Sequence, residues 1–196
     1  SFANPAHERK VADILKARLP GVAVTASSDV LPVVREYERS LATVFNAIVM
    51  PGVSTYVTRL EKRLLDEHVA APLLLMQSNG GVAGGATIRR APALTALSGP
   101  AAGVVGARDA AAACGIKDII TIDIGGTSAD ICLVKDGRIS LTQQGHVGEW
   151  PLPLPMVDMV TIGAGGGSIA KVEAGTLTVG PQSAGADPGP AAYGRG

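Results

Sequence analysis

One stretch constrains this chain more than any other: Ile119 to Val134, which reads IITIDIGGTSADICLV. Its first part, Ile119–Ile124, is almost wholly apolar or β-branched, the pattern of a strand covered on both faces. Asp123 stands near its end, Gly125-Gly126-Thr127-Ser128 follows, and a second β-like run covers Ile131–Val134. Paired glycines between two strands let the backbone turn tightly and leave no Cβ to hold a ligand away. Successive N–H groups and the hydroxyls of Thr127 and Ser128 can then surround an anion such as a phosphate. Asp123 is placed to hold a metal ion or its water beside that anion. The competing reading is a plain hairpin whose glycines only satisfy turn geometry, and local spacing favours neither.

Composition narrows the classes. The chain has 196 residues, is 46% hydrophobic and only 17% charged, which fits a folded domain with a sizeable core. Lys+Arg and Asp+Glu are balanced at 17 each, so no global field draws it to nucleic acid or to an anionic membrane. Aromatics make up 3%, too few for a base-stacking platform, whereas the 25 glycines call for ordered Gly-rich loops. No apolar run approaches the roughly 20 residues of a membrane span, and no basic-then-apolar leader opens the chain. Cys114 and Cys132 read as buried, reduced thiols, which points to the cytoplasm. Beginning at Ser1 and stopping in the loop-like Tyr193–Gly196, the chain reads as an excised piece of a longer protein.

Taken in order, Ala6–Leu19 has a helical apolar stripe, with Asn4 as its N-cap, Pro5 as its first residue and Pro20-Gly21 as its stop. Val22–Thr25 reads as a short strand. Arg35–Met50 is a second helix, interrupted by Pro51-Gly52, and a third runs from Val53 to about Val69. His68 near its end complements the helix dipole, while His7 and His146 have no nearby ligand partners, so a zinc site is rejected. Leu73–Met76 is a buried-looking strand ending in Gln77-Ser78-Asn79-Gly80-Gly81, either a ligand loop or an ordinary turn. Ser98 or Gly99 caps an Ala-rich helix over Ala101–Cys114 that Gly115 ends. Arg138–Gln143 adds a further strand, giving a three-stranded antiparallel meander with the Ile119–Val134 hairpin. Trp150–Pro155 is extended. Met156–Ile162 leads into Gly163-Ala164-Gly165-Gly166-Gly167-Ser168, whose glycines permit backbone contact with a flat ring or a phosphate. Ser168 stands where a dinucleotide fingerprint needs its last glycine, and no P-loop motif occurs. Ile169–Val172 and Thr176–Val179 form a last hairpin.

Together these motifs resemble the hydantoinase A / 5-oxoprolinase family, whose members are similar in fold to actin- and Hsp70-type ATPases. The likeness runs through Asn4-Pro5-Ala6-His7-Glu8, Arg35-Glu36-Tyr37-Glu38-Arg39, Gln77–Gly81 and Leu97–Gly103. It continues through Asp123–Asp130, Thr161–Ser168 and Ser183–Pro190. The resemblance implies an α/β fold of the actin-like (ribonuclease H-like) type, present in part, with a mixed sheet and flanking helices. Residues 1–30 would be a helix and strand arriving from a preceding domain, and 31–196 part of the ATPase-like domain. A first phosphate loop and the distal C-terminal part have no counterpart here. Many relatives carry a Cys near the end of the last motif, where this chain has Ala192.

By the same resemblance, Asp123 to Asp130 is the second phosphate loop, with Asp123 and Asp130 as catalytic carboxylates and Asp123 the magnesium ligand. Gly125, Gly126, Thr127 and Ser128 would hold ATP, with Gly163, Gly165, Gly166, Gly167 and Ser168 on the nucleotide side. The implied reaction is ATP-dependent hydrolysis of a cyclic amide, a hydantoin or 5-oxoproline-like ring, through phosphorylation of its carbonyl. Relatives carboxylate ketones instead, which is the alternative, and a non-catalytic structural module is the third. The implied cofactors are ATP and Mg²⁺, and the implied partner is a hydantoinase B-type subunit or domain. With a single set of phosphate motifs, these residues alone are expected to bind ATP weakly or not at all.

Overall fold

The computed structural model describes residues 2–148 and 150–195. The backbone divides into two units, Ser1–Ala101 with Leu141–Val157, and Ala102–Ser140 with Asp158–Gly196.

The first unit is mainly helical. Helix Ala6–Arg18 starts one residue later than the sequence suggests, with the Asn4 side-chain oxygen accepting the Ala6 N–H at 3.1 Å. Residues 22–25 form no strand, because no strand lies alongside to pair with them; the segment leads into the short helix Ser27–Val30. Glu36–Asp66 is a single 31-residue helix with Pro51 inside it, not the expected pair broken at Pro51-Gly52. Proline removes one helical hydrogen bond, and tertiary contacts on both sides of it hold the helix together. The buried Asn46 donates to Thr25 Oγ1 at 3.0 Å and to the Arg90 carbonyl at 3.1 Å, and accepts the Ala93 N–H at 3.0 Å. Beyond Pro51, Val57 is fully buried and Glu61 pairs with Arg89 at 2.5 Å. By length and composition alone this helix is apolar enough to cross a membrane, a property that a search for unbroken apolar runs misses.

Leu74–Met76 and Val82–Gly84 form a two-stranded antiparallel hairpin. Its turn is self-contained: Gln77 N–H donates to the Gly81 carbonyl at 2.8 Å, and Gly81 N–H to Asn79 Oδ1 at 2.9 Å. Ser78 is buried, with its N–H and hydroxyl both donating to the Leu94 carbonyl at 2.7 Å. Of the two readings of this motif, the structure supports the turn. The core of the unit joins Val30, Leu31, Ala42 and Ala93 to Leu152, Leu154 and Met156. A fully buried side chain of this kind contributes about 1.5–3 kcal/mol.

The second unit holds the central sheet. Ile119–Ile124 pairs antiparallel with Ala129–Lys135, whose other side pairs with Arg138–Ile139 at one end and with Val160–Ile162 at the other. The meander therefore forms, but the strand expected over Arg138–Gln143 stops at Ile139. Leu141–Thr142 pairs with Met156–Val157 in the first unit. The helix expected from Ala101 begins at Ser98 and takes Ser98-Gly99-Pro100 into its first turn. Cys132 is buried as expected, but Cys114, just past that helix, is exposed. Ser168–Glu173 and Thr176–Ser183 make the last hairpin.

The central strand departs from expectation in one respect that matters below. Ile119–Ile124 is not covered on both faces: Ile120, Ile122 and Ile124 are 68%, 61% and 66% exposed. The apolar run is the signature of a doubly covered strand, and among the described residues one of the two covers is missing.

Candidate phosphate-binding site

Strand register sets the site. In an antiparallel pair, directly opposed residues project to the same face. Asp123 stands opposite Asp130, and Asp130 opposite Thr161, so three strands place a polar row across one face of the sheet. The next pair along that face is Thr121 with the buried Cys132, then Ile119 with the buried Val134. Burial and the Asp158 charge push the Cys132 thiol upward, which disfavours the thiolate there. Helix Ser98–Ala113 passes close to the row at Gly103, where an added Cβ would lie 3.9 Å from Asp123 Oδ2.

The Gly125–Ser128 loop caps the first two strands. It is closed by the Gly125 N–H donating to the Ser128 carbonyl at 2.9 Å, and not by the Asp123 carboxylate. Asp123 is exposed, and among the described residues its carboxylate makes no hydrogen bond or ion pair. The backbone N–H groups of Gly126, Thr127 and Ser128 have no acceptor either among the described residues. Unused donors on a glycine turn beside an unused carboxylate suit a phosphate with its cation, not a self-satisfied hairpin.

The second glycine loop does something else. Gly166 N–H donates to the Gly125 carbonyl at 2.9 Å and Gly167 N–H to the Gly126 carbonyl at 2.6 Å. Gly165 N–H donates to Ser168 Oγ at 2.8 Å. The Gly166 and Gly167 donors are engaged with the first loop, and the Gly165 donor with a side chain of its own loop. The approach is close enough to require glycine: a Cβ on Gly165 would lie 2.6 Å from the Gly125 carbonyl oxygen and 2.7 Å from the Thr127 and Ser128 nitrogens. Gly163 contributes from the rim, with Pro181 3.4 Å from where its Cβ would stand. A third loop joins them: Ala184 N–H donates to the Gly167 carbonyl at 2.7 Å, and Ser183 Oγ to the Gly126 carbonyl at 3.4 Å.

Two groups of this assembly stand inside motifs of the family resemblance but are not among its implied site residues. Thr161 Oγ1 donates to Asp130 Oδ1 at 2.5 Å, and Ser183 braces the loop from a distant strand. As to a metal, among the described residues no three acidic, His or Cys side chains converge. Mg²⁺ can be held by one or two carboxylates when substrate phosphates and water complete its shell, and Asp123 and Asp130 stand opposite each other on one face. Roomier concavities lie elsewhere. A cleft of about 670 Å³ in the first unit is lined by Leu31, Tyr37, Gln143 and His146, but its Arg35 and Glu38 pair with each other at 3.3 Å.

The profile of the hydantoinase/oxoprolinase family matches residues 39–196. The chain belongs to the hydantoinase/oxoprolinase family. It is 40% identical to caprolactamase subunit alpha of Pseudomonas jessenii over all of its own length and 28% of that subunit's. The crystal structure of that ATP-dependent caprolactamase superposes with a TM-score of 0.82 at 40% identity, covering 99% of this chain and 28% of the other. The acetophenone carboxylase gamma subunit of Aromatoleum aromaticum is 34% identical over 98% of this chain and 27% of that subunit. The 5-oxoprolinase of Saccharomyces cerevisiae is 35% identical over all of this chain and 15% of its own length. The chain thus spans between about a seventh and under a third of these relatives. The fold is a mixed α/β piece that matches part of the caprolactamase structure.

Proposed function

We propose that this chain is part of a subunit of an ATP-dependent enzyme that hydrolyses a cyclic amide, and that the Asp123–Asp130 loop binds the transferred phosphate. The observation that carries the reading is the free Asp123 carboxylate beside three backbone N–H groups without acceptors. A carboxylate serving only the turn would be hydrogen-bonded within it, and this one is not.

Each residue then has a task. The N–H groups of Gly126, Thr127 and Ser128, with the two hydroxyls, hold phosphate oxygens in fixed positions. Asp123 holds Mg²⁺ or a water in its shell, and Asp130 supplies the second carboxylate of that shell. Gly163, Gly165, Gly166, Gly167 and Ser168 keep the loop in place from behind. Bound Mg-ATP supplies the phosphoryl group, which activates the amide carbonyl so that water opens the ring. By analogy with a relative that is named as an alpha subunit, a hydantoinase B-type partner and further parts of the same polypeptide complete the enzyme. The similarity to an acetophenone carboxylase subunit supports a second reading, carboxylation of a ketone through a phosphorylated enol.

The test is ADP release by the full-length protein with its partner, in the presence of 5-oxoproline, caprolactam or hydantoin. Stoichiometric ADP and ring-opened amino acid are expected with one of them. Turnover only with a ketone and bicarbonate selects the second reading. No ATP turnover with any of these compounds overturns both.

A further inference from the structure

We infer that Thr161 is a positioning residue for Asp130, fixing which oxygen of that carboxylate faces the phosphate loop. The inference rests on the proposed phosphoryl-transfer reading of the same site. Thr161 lies on Val160–Ile162, directly opposite Asp130, and its hydroxyl donates to Asp130 Oδ1 at 2.5 Å. No other side chain among the described residues bonds to Asp130, and Asp123, its neighbour on the opposite side, offers only acceptors. Without the Thr161 proton the two carboxylates would face each other with nothing to orient either. With it, Oδ1 is held on the Thr161 side, and Oδ2 is the oxygen left for a cation, a water or a phosphate-bound group.

The side chain is suited to that task. Threonine in a strand has a restricted χ1, so its hydroxyl keeps one direction. Its strand leads straight into Gly163–Ser168, the loop that is hydrogen-bonded to Gly125 and Gly126. One three-residue strand therefore sets the orientation of Asp130 and carries the support of the phosphate loop, which ties the two parts of the site to one element. A cross-strand Thr–Asp contact that served the sheet alone would affect stability and leave turnover unchanged.

The experiment compares Thr161→Val, Thr161→Ala and Thr161→Ser in the full-length protein with its partner, by steady-state ATP turnover and thermal melting. Loss of an outer-shell orienting group costs about 10- to 100-fold. Thr161→Val is expected to lower kcat by about that factor with KM for ATP changed less than about twofold. Thr161→Ser, which restores the donor, is expected to recover kcat to within about threefold of the parent. If Val does not fold at this position, Ala carries the same expectation. Normal kcat in a folded variant lacking the hydroxyl overturns the positioning role, as does a loss that Ser fails to rescue. A parent protein with no ATP turnover overturns instead the functional reading on which this inference rests.

Discussion

The two units solve burial differently. The first closes its core: Leu152, Leu154 and Val157 have essentially no exposed surface, and the polar Asn46 at its centre has three hydrogen bonds. The second carries the central sheet but covers only one face of it. The polar row and the buried Cys132 and Val134 occupy that face, while Ile120, Ile122, Ile124, Leu133 and Val160 stand exposed on the other. The strand Ile119–Ile124 is also an edge, with its outer backbone groups unpaired in the sheet order. Both units expose apolar side chains, Tyr37, Ile48 and Leu65 in the first among them, but only the second exposes a row of them along its central strand. The proposed phosphate site lies in the second unit.

The largest expected effect tests that contrast directly. In this chain Leu154→Ala is expected to cost about 2–5 kcal/mol by creating a cavity, and Ile122→Ala about 1 kcal/mol or less, measured by urea unfolding. In the full-length protein the cost of Ile122→Ala is expected to rise toward that of Leu154→Ala. An Ile122 cost that stays small there would show that the face is solvent-exposed in the complete protein. Next is Asp123→Asn in the full-length protein, expected to reduce ATP turnover about a hundredfold or more with an unchanged melting temperature. Near-normal turnover would return Asp123 to a mere turn residue.

A smaller effect is expected at the brace between the loops. Gly165→Ala pushes a methyl group into the Gly125–Ser128 backbone and is expected to cost about 1–3 kcal/mol, with turnover falling as the loop shifts. Thermal melting and ADP release on the same sample check it. The smallest belongs to the first unit, where Arg39 pairs with Glu8 at 2.6 Å. Burial works against ionisation of Glu8, yet hydrogen bonds from the Ser27 hydroxyl and the Ser28 N–H to its carboxylate prevail, lowering its pKa from 4.5 to about 2. A depressed pKa stabilises the fold above the unfolded-state value and ceases to do so as pH falls through the folded-state value. The stability gap between the parent and Glu8→Gln, about 1–2 kcal/mol, should hold from pH 7 to about pH 4.5 and shrink toward pH 2. A gap that is constant across that window would remove the carboxylate from the account.

Much of the second unit was legible because its signals are local. The paired glycines, the apolar runs on either side and the carboxylate before the turn are all within one stretch of sequence. The long helix runs on through Pro51 because what holds it there is distant in sequence: Thr25, Arg90 and Ala93 all bond to Asn46. Residues 22–25 look like a strand by composition, but a strand needs a neighbour, and sequence does not say where one lies. The Thr161–Asp130 contact joins residues 31 apart. It follows from strand register, which hydropathy does not encode. Three adjacent glycines announce a close approach to the backbone, and the structure shows the Gly125–Ser128 loop at that distance.

The order in which the first unit's core appears along the chain has a consequence for synthesis. Val30, Leu31 and Ala42 emerge early, but Leu152, Leu154 and Met156, which complete the cluster, follow the whole Ile119–Ile139 meander. A nascent chain that has reached Ser140 holds every residue of the Ile119–Lys135 hairpin but not those that complete the helical core. Local hairpins can form at once, whereas closure of that core must wait until Val157 has left the ribosome. A polypeptide truncated between the two points would keep the Asp123 loop in its sequence and lack the residues that finish the neighbouring unit.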